Sequence, residues 1–137
     1  MSIEGKVALV TGATRGIGRA IALRLGRQGA VVVGTATSEA GAASISAAFA
    51  EAGISGRGLV LDVGSAEAIE AALAQIADEF GTPQIVVNNA GITRDNLMLR
   101  MKEDEWQAVI NTNLTAIFRV SKACLKGMTK ARWGRIV

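Results

Sequence analysis

Apolar residues gather in five short runs: Lys6–Val10, Ala30–Thr35, Gly58–Asp62, Gln84–Asn88 and Gly134–Val137. None of them alternates apolar with polar positions, so each predicts a strand covered on both faces. Helical spacing fills the intervals. Gly16–Arg27 carries Ile17, Ala20, Ile21, Leu23 and Leu25 three and four apart, and Gly29 supplies a stop. A second helix is predicted from Ser38 to about Ala52, with Gly53 just after it. Ser65, Glu67 and Ala68 open a third, an N-cap followed by early negative charge. Its apolar face is Ile69, Ala72, Leu73, Ile76 and Phe80, and Gly81-Thr82-Pro83 breaks it. A polar loop over 91–102 precedes a long helix over about Glu103–Met128.

This regular alternation predicts an α/β chain. Right-handed crossovers between parallel strands give a Rossmann-type doubly wound parallel sheet in the order 3-2-1-4-5, with residues 1–137 as one domain cut short within the fifth strand. Abundant alanine and Gly 16 suit helices lying close on a sheet. Apolar residues make up 50% and charged residues 20%, enough for a packed core.

The absences exclude more. The chain has His 0, Tyr 0 and Cys 1. No Ser-His-Asp or Cys-His site can form without histidine. A zinc site on histidine or paired cysteines is ruled out, as is a disulfide within the chain, which suits a reducing compartment. No step within this chain can use a phenol as acid or base.

Charge changes the picture little. Lys+Arg 15 against Asp+Glu 12 leaves +3, mostly dispersed, which argues against nucleic-acid binding. Arg119, Lys122, Lys126, Lys130, Arg132 and Arg135 concentrate near the end. They read either as a solvated helix face with its basic C-terminal turn or as a docking surface for an acidic partner. Glu4 and Lys6 interrupt any signal peptide, and no apolar run approaches the ~18 residues of a membrane span. A cytoplasmic protein is expected.

The candidate chemistry lies between the first strand and helix, in Thr11-Gly12-Ala13-Thr14-Arg15-Gly16-Ile17-Gly18. Gly12 suits a tight turn that needs positive φ. Gly16 and Gly18 let a pyrophosphate approach and let the helix pack on its strand. The helix N-terminus offers N–H groups and a positive dipole end. The end of the second strand, Gly34-Thr35-Ala36-Thr37, lacks the acid that holds a ribose 2′-hydroxyl. With Arg15 in the glycine loop, a 2′-phosphate fits better, and NADP(H) is expected over NAD(H). Glu39 nearby reads as an early helix residue.

Four signals in order now resemble one family across the whole chain. Thr11–Gly18, Asp62-Val63, Asn88-Asn89-Ala90-Gly91 and Asn111-Thr112-Asn113-Leu114 resemble the short-chain dehydrogenase/reductases. The stretches Gly34–Glu39, Gly91–Met101 and Trp133–Ile136 look like its 3-oxoacyl-[acyl-carrier-protein] reductase branch. The resemblance implies an NADP(H)-binding domain forming the N-terminal portion of a longer reductase of fatty-acid synthesis. Gly12, Ala13, Thr14 and Arg15, with Gly16, Ile17 and Gly18, would line the cofactor phosphates, and Thr37 would approach the 2′-phosphate. Asp62 would accept from the adenine amino group, and the Val63 backbone would meet the ring. Asn89, Ala90 and Gly91 would run beside the ribose, with Ile92 near. Asn88 would tie neighbouring strands together. Asn113 matches the family's catalytic asparagine, which helps hold a proton-relaying water; its plainer reading is an amide satisfying backbone groups. Asn111 is the near decoy, and Cys124 reads as packing.

In this family a tyrosine protonates the carbonyl oxygen, a lysine lowers its pKa and a serine orients the substrate. Those residues would follow strand five and are expected beyond Val137. Lys122, Lys126 and Lys130 are misplaced for the role, so the chain as it stands is expected to be inactive: general acid–base help is worth about 10²–10⁴-fold. The implied substrate is a 3-oxoacyl chain on an acidic carrier protein, with Arg132 as a contact. The implied assembly is a homo-oligomer, a tetramer when complete, with neither membrane nor nucleic acid as partner. The alternatives are a non-catalytic nucleotide-binding or assembly module, and another short-chain reductase acting on alcohols, sugars or steroids.

Overall fold

A computed structural model describes residues 2–137. Five parallel strands form one sheet: β1 (Val7–Val10), β2 (Val31–Ala36), β3 (Gly56–Val60), β4 (Ile85–Val87) and β5 (Arg135–Ile136). Their order is β3-β2-β1-β4-β5, the doubly wound arrangement expected from the alternation. Registers such as Leu9 opposite both Val33 and Val86 align the three central strands.

The helices are α1 (Gly16–Arg27), α2 (Glu39–Ala52), α3 (Ala66–Glu79), α4 (Glu103–Ile110) and α5 (Ala116–Ala131). They cover both faces of the sheet, which explains why the strands are apolar without alternation. Val7 and Leu9 join Val33, Ile69, Ile76, Val120 and Met128 in one core layer. Ala8 and Val10 join Val32, Ile45, Phe49 and Val87 in the other. Successive residues of β1 thus feed opposite layers. Cys124 is buried in the α5 stripe Ala116, Val120, Cys124 and Met128, where burial pushes its thiol up to about 11, so it packs as a neutral small side chain.

Two boundaries differ from the sequence reading in instructive ways. β3 begins at Gly56, earlier than the apolar run Gly58–Asp62 suggests. Gly56 adopts φ +121, and a Cβ there would strike the Val32 carbonyl oxygen; at Gly58 it would strike that of Ala42 on α2. The strand opens on glycine because its neighbours leave no room, and Arg57 between them bonds Glu79 at 2.8 Å. The long helix is also not one α-helix. Asn111–Thr115 form a π-helical turn in which the Ala116 N–H reaches the Asn111 oxygen, and α5 then runs on to Ala131 rather than Met128. The remaining strands shift by one residue, β1 at its start and β2, β4 and β5 at both ends.

After α5 the chain turns at Arg132, whose φ is +56, and returns as β5. Two cations lie over the Trp133 ring there, Lys6 Nζ and the Arg135 guanidinium, each 4.6 Å from its centre. No helix among the described residues is long and apolar enough to cross a membrane.

Candidate functional site

Strand order reverses beside β1: the chain leaves β1 for β2 on one side and returns as β4 on the other. In such sheets ligands bind outside the carboxyl ends of the strands at this switch point. A cleft of about 770 Å³ opens there.

Its floor is a turn held by two buried threonines. Thr11, 2% exposed, ends β1; its Oγ1 accepts from the Asn89 N–H at 3.1 Å and the Ala90 N–H at 3.0 Å. The Asn89 amide donates back to the carbonyls of Thr11 at 3.2 Å and Gly12 at 2.9 Å. On the other side, Thr35 Oγ1 accepts from the Gly12 N–H at 3.2 Å, and the Thr35 carbonyl accepts from Ala13 N–H at 2.8 Å. The glycine turn is thus tied to β2 and β4 together. Both threonines lie in stretches the sequence singled out, but neither was given a role of its own, although a hydroxyl ending a buried apolar strand must find a partner.

The glycines divide their work. Gly12 has φ +66, and an added Cβ would meet the Ala90 backbone at 3.0 Å. Gly18 is buried; an added Cβ would collide with the Gly12 carbonyl oxygen and the Asn89 amide. Gly16 has φ +60 with nothing within 4 Å of where its Cβ would stand. Gly18 therefore serves packing, while Gly16 serves the turn and leaves open approach. Arg15 caps α1 without a side-chain cap bond, so no cap side chain occupies the first-turn N–H groups, which in general can receive an anion.

The structure separates the sequence candidates. Gly12, Thr14 and Arg15 line the cleft together with Thr37, Asp62, Val63, Asn89, Ala90, Gly91 and Ile92. Ala13 is buried beneath the turn, Gly18 packs under it, and Gly16 and exposed Ile17 lie outside the lining. Thr35, Ser38, Gly41, Arg94 and Thr112 line it without having been singled out. No carboxylate lines the end of β2, and Glu39, in the first turn of α2, is outside the lining.

Asp62 does close a turn, accepting the Gly64 N–H at 2.9 Å, and is exposed at the cleft wall. Asn88 ties strands through its backbone, its N–H donating to the Val137 carbonyl at 2.7 Å, but its side chain donates to Ser121 on α5. Asn113 makes a matched pair with one residue: its Oδ1 accepts the Ile92 N–H and its Nδ2 donates to the Ile92 carbonyl, both at 2.8 Å. Its amide thus satisfies backbone groups. Asn111 reaches the opposite wall.

The sheet order and the cleft at its switch point define the doubly wound α/β class. Within it, the chain belongs to the short-chain dehydrogenase family, whose model, described as short chain dehydrogenase, matches residues 6–137. Over all 137 residues the chain is 64% identical to the 3-oxoacyl-[acyl-carrier-protein] reductase FabG of Pseudomonas aeruginosa, covering 56% of that protein. It is 62% identical to the protein of the same name from Vibrio harveyi and 56% to that from Escherichia coli, covering 55% of each. The chain spans about half the length of the curated relatives it matches.

The family implies a nicotinamide dinucleotide, and the cleft fits one. Its volume is that of a small-molecule site, its glycine turn admits a close approach, and Arg15 in the lining with the uncapped start of α1 offers positive partners for phosphate. Among the described residues no cluster of three or more His, Cys, Asp or Glu could hold a metal ion.

Proposed function

We propose that the protein carrying this chain reduces 3-oxoacyl-[acyl-carrier-protein] to the 3-hydroxyacyl form with NADPH in cytoplasmic fatty-acid synthesis, and that this chain supplies the cofactor cleft. The observation that carries the reading is that the residues at the end of β2 lining the cleft, Thr35, Ala36 and Thr37, include no carboxylate, while Arg15 lines the same cleft. The relatives' shared name points to the substrate.

NADPH, when bound, supplies the hydride. The residues here bind and orient it. Gly12 and the first turn of α1 present N–H groups to the phosphates, and Arg15 and Thr37 face a 2′-phosphate. Asp62 and Val63 form the wall for the adenine, and Asn89 to Ile92 the wall for the nicotinamide ribose. Asn113 is the candidate catalytic asparagine; its amide fixes the Ile92 backbone, and the π-turn around it is an irregularity typical of functional sites. Exposed Arg132, at the end of α5, would meet the acidic carrier protein.

Leu114, Phe118 and Leu125 stand 62%, 63% and 51% exposed along the outer side of the π-turn and α5, with Trp106 at 57% on α4. Such a stripe supports self-association, as a tetramer in the full assembly.

Titration of the chain with NADPH and NADH, read through Trp106 and Trp133 fluorescence, tests the cofactor. NADPH should bind at least tenfold more tightly, and Arg15→Ala should abolish the difference; equal affinities in the unaltered chain would sink the assignment. In the full-length protein Arg132→Glu should raise KM for carrier-bound substrate, and an unchanged KM would remove Arg132 from the account.

A further inference from the structure

The π-turn reaches both walls of the cleft. Two residues before Asn113, Asn111 donates from Nδ2 to the Gly64 carbonyl at 3.1 Å. Arg119, on α5, donates to the same carbonyl at 3.5 Å and to Asn111 Oδ1 at 3.4 Å. The Gly64 N–H in turn donates to Asp62 Oδ1 at 2.9 Å. One peptide segment is thereby held at both ends: its N–H fixes the Asp62 carboxylate, and its carbonyl is anchored by the helix.

Gly64 sits tightly in this junction. A Cβ there would lie 3.1 Å from Asn111 Nδ2 and 3.1 Å from Asp62 Oδ1, closer than side chains normally approach. The glycine thus lets the carboxylate and the amide close on the same segment from opposite sides. Asp62 is exposed and belongs to a loop, so without the anchor its side chain would have many conformations to lose on meeting a ligand.

We propose that Asn111 is a positioning residue: with Arg119 it locks the Asp62–Gly64 turn so that Asp62 and Val63 meet an adenine ring already in place. Asn113 does the equivalent for Ile92 at the other wall. The five-residue π-turn therefore serves each half of a dinucleotide through a separate amide. This rests on the reading of the cleft as an NADP(H) site.

The test measures the halves separately in the full chain, with adenosine 2′,5′-bisphosphate for one and reduced nicotinamide mononucleotide for the other. Asn111→Leu keeps a helix-forming side chain and removes the amide. It should weaken the bisphosphate at least fivefold and leave the mononucleotide within twofold. Asn113→Leu should reverse the pattern. Gly64→Ala pushes on the same junction from the loop side and should copy Asn111→Leu, which keeps the test decisive if one variant folds poorly. Equal bisphosphate affinity in Asn111→Leu and the unaltered chain would overturn the proposal. An equal loss of both halves in Asn111→Leu and Gly64→Ala would also overturn it, because that is general loosening rather than positioning. An unaltered chain that binds neither half would instead overturn the cofactor reading beneath it.

Discussion

Thr11 and Asn89 hold each other by their backbones: the Thr11 hydroxyl accepts the Asn89 N–H at 3.1 Å, and the Asn89 amide donates to the Thr11 carbonyl at 3.2 Å. This pair joins the end of β1 to the end of β4 and so sets where the glycine turn stands against the Asn89–Ile92 wall. Thr11→Val keeps the shape and removes the hydroxyl, leaving the Ala90 N–H without its acceptor and the Asn89 N–H with only the Val87 carbonyl at 3.1 Å. The expected cost is about 1–3 kcal/mol in urea unfolding, with weaker nucleotide binding. A variant as stable as the parent would show that water or a shifted backbone replaces the hydroxyl.

Gly18 and Gly16 should separate stability from ligand approach. Gly18→Ala places a methyl against the Gly12 carbonyl and the Asn89 amide, so it should destabilise by about 1–3 kcal/mol and distort the turn. Gly16→Ala meets open space and bears only the strain of φ +60, about 1–2 kcal/mol. On the proposed reading of the first turn of α1 as the phosphate site, nucleotide affinity should nevertheless fall in Gly16→Ala more than its stability predicts. Paired thermal melts and titrations decide this; parallel losses in the two variants would contradict the division of roles.

Arg132 is the single non-glycine residue with positive φ among those described, at +56 where α5 ends. Glycine is the usual residue at such a helix end. Arg132→Gly should therefore stabilise the chain by about 0.5–1 kcal/mol, measured by thermal melting. The same substitution should weaken any contact with an acidic carrier protein. A gain in stability with undiminished carrier affinity would mean that the arginine is kept for neither purpose.

Cys124 sets a pH dependence. Desolvation by burial raises its thiol to about 11, so the folded state keeps a proton that the unfolded chain releases near pH 8.5. Stability therefore falls as pH rises from about 8.5 towards 11, by roughly 2–3 kcal/mol at the upper end. Cys124→Ala should lack this part of the decline, seen by comparing unfolding curves of the two proteins at pH 8 and about 10.5. Parallel declines would assign the alkaline instability to other groups.

The fold was largely legible because burial on both faces leaves a plain signature. Val7–Val10 and Ile85–Val87 are unbroken apolar runs since successive residues enter different core layers. β3 was less legible: its first residues, Gly56 and Arg57, are chosen by the Val32 carbonyl beside them and by Glu79 on α3, neither of which a local window contains. The cleft was legible at its glycines and asparagines. Thr11, Thr35 and Arg94 lie in the quoted stretches but were given no role, because single threonines and arginines carry no spacing signal. The π-turn escaped for a related reason. Asn111 and Asn113 differ in role only through their partners, which lie 47 and 21 residues away.

The linear order of residues thus determined five strands, the helices between them and a glycine turn at the first crossover, because hydrophobic period and backbone freedom are local properties; it did not determine that β5, expected to be covered, leaves Arg135 and Ile136 exposed. Tertiary structure decided which glycines face a ligand, where β3 starts, and that two asparagines in one helical turn hold opposite walls of a cleft. Each of those outcomes depends on a hydrogen-bond partner or a steric neighbour brought near only by the folded sheet.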